Sequence, residues 1–150
     1  MRELRGKMRD IDDGLRAAAL HPSDPRSLRV KRVEGLGDRI RGIVGEAERL
    51  ERDVPRLQQH LIEAMRIDGL GSPAEQGARF ALDRYVVRAM GWKAPWPEIK
   101  AAVAGIRGWA ESRERQITDW IAGGWAPPTW RPTGSGGLPL PDNSWWRERP

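Results

Sequence analysis

The chain has 150 residues, 39% hydrophobic and 31% charged, with a net charge of +5; that allows one packed core, or one core plus an arm, with little apolar surplus. It has no cysteine, which excludes a disulfide framework, a thiolate metal site and a cysteine nucleophile. The charged start MRELRGKMRD has no apolar signal core, and no apolar run approaches the ~18 residues of a membrane span, so a soluble protein made inside the cell is expected. Eight Trp stand against one Phe and one Tyr, and the chain is rich in Ala, Leu and Arg, a composition that points to an all-α fold.

The first segment carries Leu4, Met8, Ile11, Leu15 and Ala18 at alternating spacings of four and three, one apolar seam on a helix of about five turns. It stops in HPSDPRS, where Pro22 and Pro25 remove backbone donors. The second carries Val33, Leu36, Ile40, Ile43, Ala47, Leu50, Val54, Leu57, Leu61 and Ala64, a heptad seam sustained over about four repeats. Helices over about 2–20 and 28–68 are expected to fold back as an antiparallel hairpin, burying Leu36, Ile40, Ile43, Leu50 and Leu57. Two features oppose a plain rod. Pro55 costs ~3 kcal/mol in a helix interior unless the helix kinks or restarts, and Asp53 could cap a restart. Gly35, Gly37, Gly42 and Gly45 point to close backbone packing, or to a helix stabilised by an assembly.

Ser72-Pro73-Ala74-Glu75 reads as a capping box, with Ser72 at N-cap, Pro73 at N1 and the Glu75 carboxylate able to reach back. The helix behind it presents Ala78, Ala81, Leu82, Tyr85, Val86, Ala89 and Met90 and stops at Gly91. A tight corner, WKAPWPE, leads into a fourth helix, with Pro97 in its first turn. Ile99, Val103, Ile106, Trp109 or Ala110, Ile117, Trp120 and Ile121 continue the seam to Gly123-Gly124. Trp92, Trp96, Trp109 and Trp120 are expected in the core between helices three and four. The helical domain is therefore 1–122.

Residues 123–150 hold five Gly and six Pro, with no helical or strand periodicity, and read as an extended C-terminal arm. Linkers are normally depleted in large aromatics, yet this one holds Trp125, Trp130, Trp145 and Trp146. Trp and Arg dominate interface hot spots, so these residues are expected to anchor the arm on another surface, the other reading being an arm folded back on its own domain.

No catalytic constellation emerges. His60 and Glu63 stand one turn apart, but a metal site needs three or four ligands and no second pair exists. His21 falls in the inter-helix turn. Asp10, Asp12, Asp13 and the group Glu46, Glu48, Glu51 read as solvated helix faces rather than acid/base pairs. GLGDRIRG at 35–42 is not a dinucleotide fingerprint, and there is no P-loop. No enzyme activity, cofactor or metal is expected. Of the 26 basic residues 22 are Arg. The excess is dispersed, net +2 over 1–69, +2 over 70–122 and +1 over 123–150, without the basic stripe of a typical duplex binder.

The run APPTWRPTGSGGLPLPDNSWW resembles the arm of the head-to-tail adaptor proteins (tail accessory factors) of short-tailed phages. In them a helical domain ends in a basic, Pro-containing stretch, then a Pro-x-Gly-Ser-Gly string and an aromatic extension. Pro132, Thr133, Gly134, Ser135 and Gly136 match the string, with Trp145 and Trp146 in the aromatic position. The helices at 73–122 fit in order and length. Gly137 stands where the family has Asn, and 27–68 does not match. The resemblance implies a structural virion protein made in the host cytoplasm, a ring of typically twelve copies below the portal. The arm would lie on the portal, and DNA would pass through without sequence-specific contact. The implied partner-binding residues are Trp125, Trp130, Arg131, Pro132, Gly134, Ser135, Gly136, Trp145 and Trp146. Two other readings stand beside it: an Arg-rich helical nucleic-acid-binding or packaging protein, and a coiled-coil chaperone or scaffold.

Overall fold

A computed structural model describes residues 1–20, 25–123 and 125. Four helices pack together: α1 (Arg2–Leu20), α2 (Arg26–Asp68), α3 (Pro73–Met90) and α4 (Trp96–Ile121). Among the described residues there is no strand, and no helix is long and apolar enough to cross a membrane.

The hub is α2, whose 43 residues span about 64 Å at 1.5 Å each. It makes the close backbone approaches to all three other helices. The first helix runs antiparallel to it, with Lys7 Nζ 3.2 Å from Glu46 Oε1 and Gly14 against the Leu36 side chain. The third continues in the same sense further along α2, where the Tyr85 hydroxyl donates to Asp53 Oδ2 at 2.9 Å. The two thus follow one another end to end, and the Met1 amino group donates to the Ala89 carbonyl where they meet. Antiparallel to α2 on another flank lies α4, with Gly37 facing the Ile117 side chain and Arg107 bidentate on Glu51 at 3.0 and 3.2 Å.

The core follows the seams. Leu4, Met8, Ile11, Leu15 and Ala18 of α1 are buried, as are Val33, Ile40, Ile43, Ala47, Leu50 and Val54 of α2. Leu36, Leu57, Leu61 and Ala64 are only half-buried. Beyond Val54 the principal cover is α3, so the heptad seam continues in sequence after the core has ended. At that end Ile62, Ile67, Leu70 and Phe80 are exposed.

Four local expectations need correction. The helix passes through Pro55 unbroken; the turn before it is tied to two neighbours, by Asp53 to Tyr85 and by Glu51 to Arg107, and such packing offsets the lost backbone bond. Ser72 caps α3 as expected, its Oγ accepting from Glu75 N–H at 3.1 Å. The reciprocal arm of the box is absent: Ser72 N–H donates to Gly69 O, and Glu75 Oε1 accepts from Arg79 Nε and Nη2 at 3.1 and 2.6 Å. A Cβ at Gly35, Gly42 or Gly45 would meet nothing within 4 Å, so among the described residues these glycines do not mark close packing. Finally, Trp92 and Trp96 are half-buried while Trp109 and Trp120 are buried. Helices three and four each pack on α2 more than on one another, and Trp109 turns toward α1.

Candidate functional site

Of the arm residues singled out in the sequence, only Trp125 belongs to the described part. Trp130, Arg131, Pro132, Gly134, Ser135, Gly136, Trp145 and Trp146 lie outside the described residues, as does His21. The placement of Trp125 is specific. Helix α4 ends with Ala122 N–H on Thr118 O and Gly123 N–H on Trp120 O, each at 3.0 Å. Gly123 has φ +124, a conformation that side chains with a Cβ rarely adopt, and it turns the chain back toward the bundle. Trp125 then stacks on Trp120, with ring centroids 5.4 Å apart and planes 16° from parallel. The Arg29 guanidinium sits 4.3 Å from the Trp125 ring centroid, a cation–π arrangement. Arg26 Nη2 reaches the Ile121 carbonyl at 2.8 Å, a cation on the negative end of the helix dipole.

Two arginines from the first turn of α2 therefore clamp the last turn of α4 and the residue that follows it. Trp120 is fully buried, which makes the lower plate of the stack rigid. The Trp125 Nε1–H is buried and meets no acceptor among the described residues. Sequence reasoning identified Trp125 as an anchor but missed Arg26 and Arg29, which lie about a hundred residues earlier and carry no local signal.

A second polar constellation is wholly internal. Asp12, only 1% exposed, faces Arg113, 2% exposed. Arg113 Nε donates to Asp12 Oδ1 at 2.7 Å and Nη2 to Oδ2 at 2.9 Å; Trp109 Nε1 adds a third donor to Oδ1 at 3.2 Å. The reading of Asp12 as a solvated carboxylate is corrected: it is the acceptor that joins α1 to α4. Asp10 and Asp13 are exposed. Glu46 pairs with Lys7, and Glu48 and Glu51 with Arg107.

Tyr85 and Asp53 form the third. Burial, followed by the hydrogen bond to Asp53, pushes the Tyr85 hydroxyl up to about 12. Asp53 is lowered, first by the Tyr85 hydrogen bond and then by its arginine neighbours. Among the described residues no group of three His, Cys, Asp or Glu is placed to hold a metal ion; His60 and Glu63 stand exposed on α2. No family model, curated protein or solved structure matches the chain.

Proposed function

We propose that the chain is a structural virion protein, a head-to-tail adaptor that forms a ring below the portal and docks through its C-terminal arm, residues 123–150. The observation that carries this reading is the clamp on Trp125. An arm that leaves from a fixed point on a rigid bundle costs less to order on a partner than one leaving from a loose end. The order and length of α3 and α4, directly before the Pro/Gly/Trp segment, support it, because they match the pattern in which the adaptor resemblance was found. Exposed apolar side chains on the α2–α3 end of the bundle, Ile62, Ile67, Leu70 and Phe80, suit a protein with further neighbours. In this reading Trp145 and Trp146 fill pockets on the portal, and the glycines of the Gly134-Ser135-Gly136 string let the backbone approach it closely.

Two measurements test it together. Native mass spectrometry of the full chain should give a closed ring, and the ring should bind a purified portal. Deleting 126–150 should leave a folded helical body that no longer binds, and Trp145→Ala with Trp146→Ala should reproduce most of that loss. Unfolding on deletion would make the arm part of the core, and undiminished portal binding would make it a spacer; either outcome ends the adaptor reading.

A further inference from the structure

The linear charge count is even, but the antiparallel pairing of α2 with α3 gathers charge that the sequence disperses. Arg49, Arg52 and Arg56 project from the flank of α2 that carries Asp53, and all three are exposed. Arg52 and Arg56 each lie 3.4 Å from Asp53 Oδ1, and the charges of Arg49 and Arg52 act on Tyr85 across the helix pair. On α3, Arg84 and Arg88 are also exposed. Helical periodicity sets Arg84 and Arg88, four residues apart, on one stripe of that helix, with Arg88 one turn after Tyr85. Arg52 and Arg56 thus flank a single carboxylate whose second oxygen is occupied by the Tyr85 hydroxyl, and Arg49, Arg84 and Arg88 stand exposed on the same two helices. Arg49, Arg84 and Arg88 have no carboxylate partner among the described residues.

We propose that this α2–α3 arginine face binds the sugar-phosphate backbone of duplex DNA without reading its sequence. Protein-binding surfaces place apolar side chains at the centre and charge at the rim. Here the centre is a tyrosine hydroxyl closed onto an aspartate, the arginines around it are exposed, and an exposed apolar side chain beside them, Phe80, stands one turn before Arg84 rather than at the centre. Guanidinium groups match phosphate oxygens bidentately and stay charged at any working pH. On α2 the three arginines span seven residue steps, about 10 Å of helix rise, and with the α3 pair they offer five guanidinium groups, one to each of five neighbouring phosphates. The face lies away from the clamp on Trp125, so the inference stands independently of the arm and of the adaptor reading.

The test is fluorescence anisotropy with a labelled 24-base-pair duplex of arbitrary sequence, titrated with the full chain at several salt concentrations. Five phosphate contacts give a slope of about −4.5 in log K against log salt, so affinity should fall roughly 500-fold between 50 and 200 mM. The variant Arg49→Gln/Arg84→Gln/Arg88→Gln should reduce the slope to about −1.8 and the loss to roughly 12-fold. A control with the same charge removed elsewhere, Lys31→Gln/Arg66→Gln/Arg115→Gln, should keep most of the wild-type slope. Circular dichroism checks both triples for folding, and the single Arg49→Gln, Arg84→Gln and Arg88→Gln changes, each expected to lower the slope by about one, serve if a triple misfolds. Equal weakening by face and control variants would reduce the effect to net charge and overturn the proposal. So would a wild-type slope no steeper than that of the face variant, or tighter binding to anionic phospholipid vesicles than to the duplex.

Discussion

Replacing Asp12 by alanine should be among the most damaging single changes in the protein. The carboxylate is 1% exposed and receives three donors. Without it the Arg113 guanidinium, itself 2% exposed, loses both of its hydrogen bonds to the carboxylate and retains a 3.3 Å contact to Ser112 Oγ and the face of Trp109, 5.8 Å from its centroid. Breaking a buried pair from one side typically costs about 3–5 kcal/mol, because an uncompensated charge is left in a dry site. A domain of this size is stable by only about 5–15 kcal/mol. At roughly 4 °C per kcal/mol the melting temperature should drop by about 12–20 °C. Removing both partners is a different matter. Asp12→Leu with Arg113→Met should lie near wild type, or above it by as much as about 4 kcal/mol, since burying two ions has its own desolvation cost. Urea unfolding followed by tryptophan fluorescence gives all the free energies of the cycle. A cost below about 1 kcal/mol for Asp12→Ala, or single and double changes that simply add, would mean that water reaches the pair and that the burial argument fails.

The tyrosine at 85 is the only one in the chain, so its ionisation can be followed at 295 nm without deconvolution. It should ionise near pH 12 in the folded protein and near 10 in urea. A raised folded value means that its contribution to stability is full below pH 10 and is lost as pH climbs toward 12; a folded-state midpoint at 10 would rule out the Asp53 contact. Asp53 has the opposite sign: its depressed value stabilises above the ordinary carboxylate range and is lost in acid. Tyr85→Phe should therefore destabilise at pH 7 and differ less from wild type as pH falls below 4. Ser72→Ala removes the N-cap acceptor and should cost ~0.5–2 kcal/mol in a thermal melt, an unchanged melting temperature showing the cap to be dispensable. Gly42→Ala adds a Cβ into open space in mid-helix and should raise the stability of the isolated chain by about 0.5–1 kcal/mol; a loss would reveal a neighbour on that face.

Helix boundaries were legible because their signals are local. Ser72-Pro73 and Gly91 bracket α3, and the seam from Leu4 to Ala18 gives α1 its buried face. What stayed hidden depends on residues far apart in sequence. Asp12 looks like any acidic residue on a helix surface until α4 brings Arg113 and Trp109 against it. The arginine face appears only when α2 and α3 are laid side by side. The outer part of the heptad seam failed for a related reason: periodicity tells which side of α2 is apolar but not how many helices cover it, and at Leu57 and Leu61 the cover is incomplete. Of the arm anchors, Trp125 alone can be placed, and its clamp uses Arg26 and Arg29, which no motif distinguishes from twenty other arginines.

The end-to-end arrangement of α1 and α3 along α2 has a dynamic consequence. Local opening free energies follow the number of buried apolar contacts a segment holds. The stretch of α2 from Val33 to Val54 is flanked by α1 and α4 and contains its buried residues, whereas the stretch beyond Val54 rests chiefly on α3. Amide hydrogens along one unbroken helix should then exchange on two schedules, the first half only with global unfolding and the last turns together with α3 as a smaller cooperative unit. The Tyr85–Asp53 hydrogen bond sits at the border between the two units, so it sets how far an opening that begins at the α2–α3 turn can spread before the whole bundle must come apart.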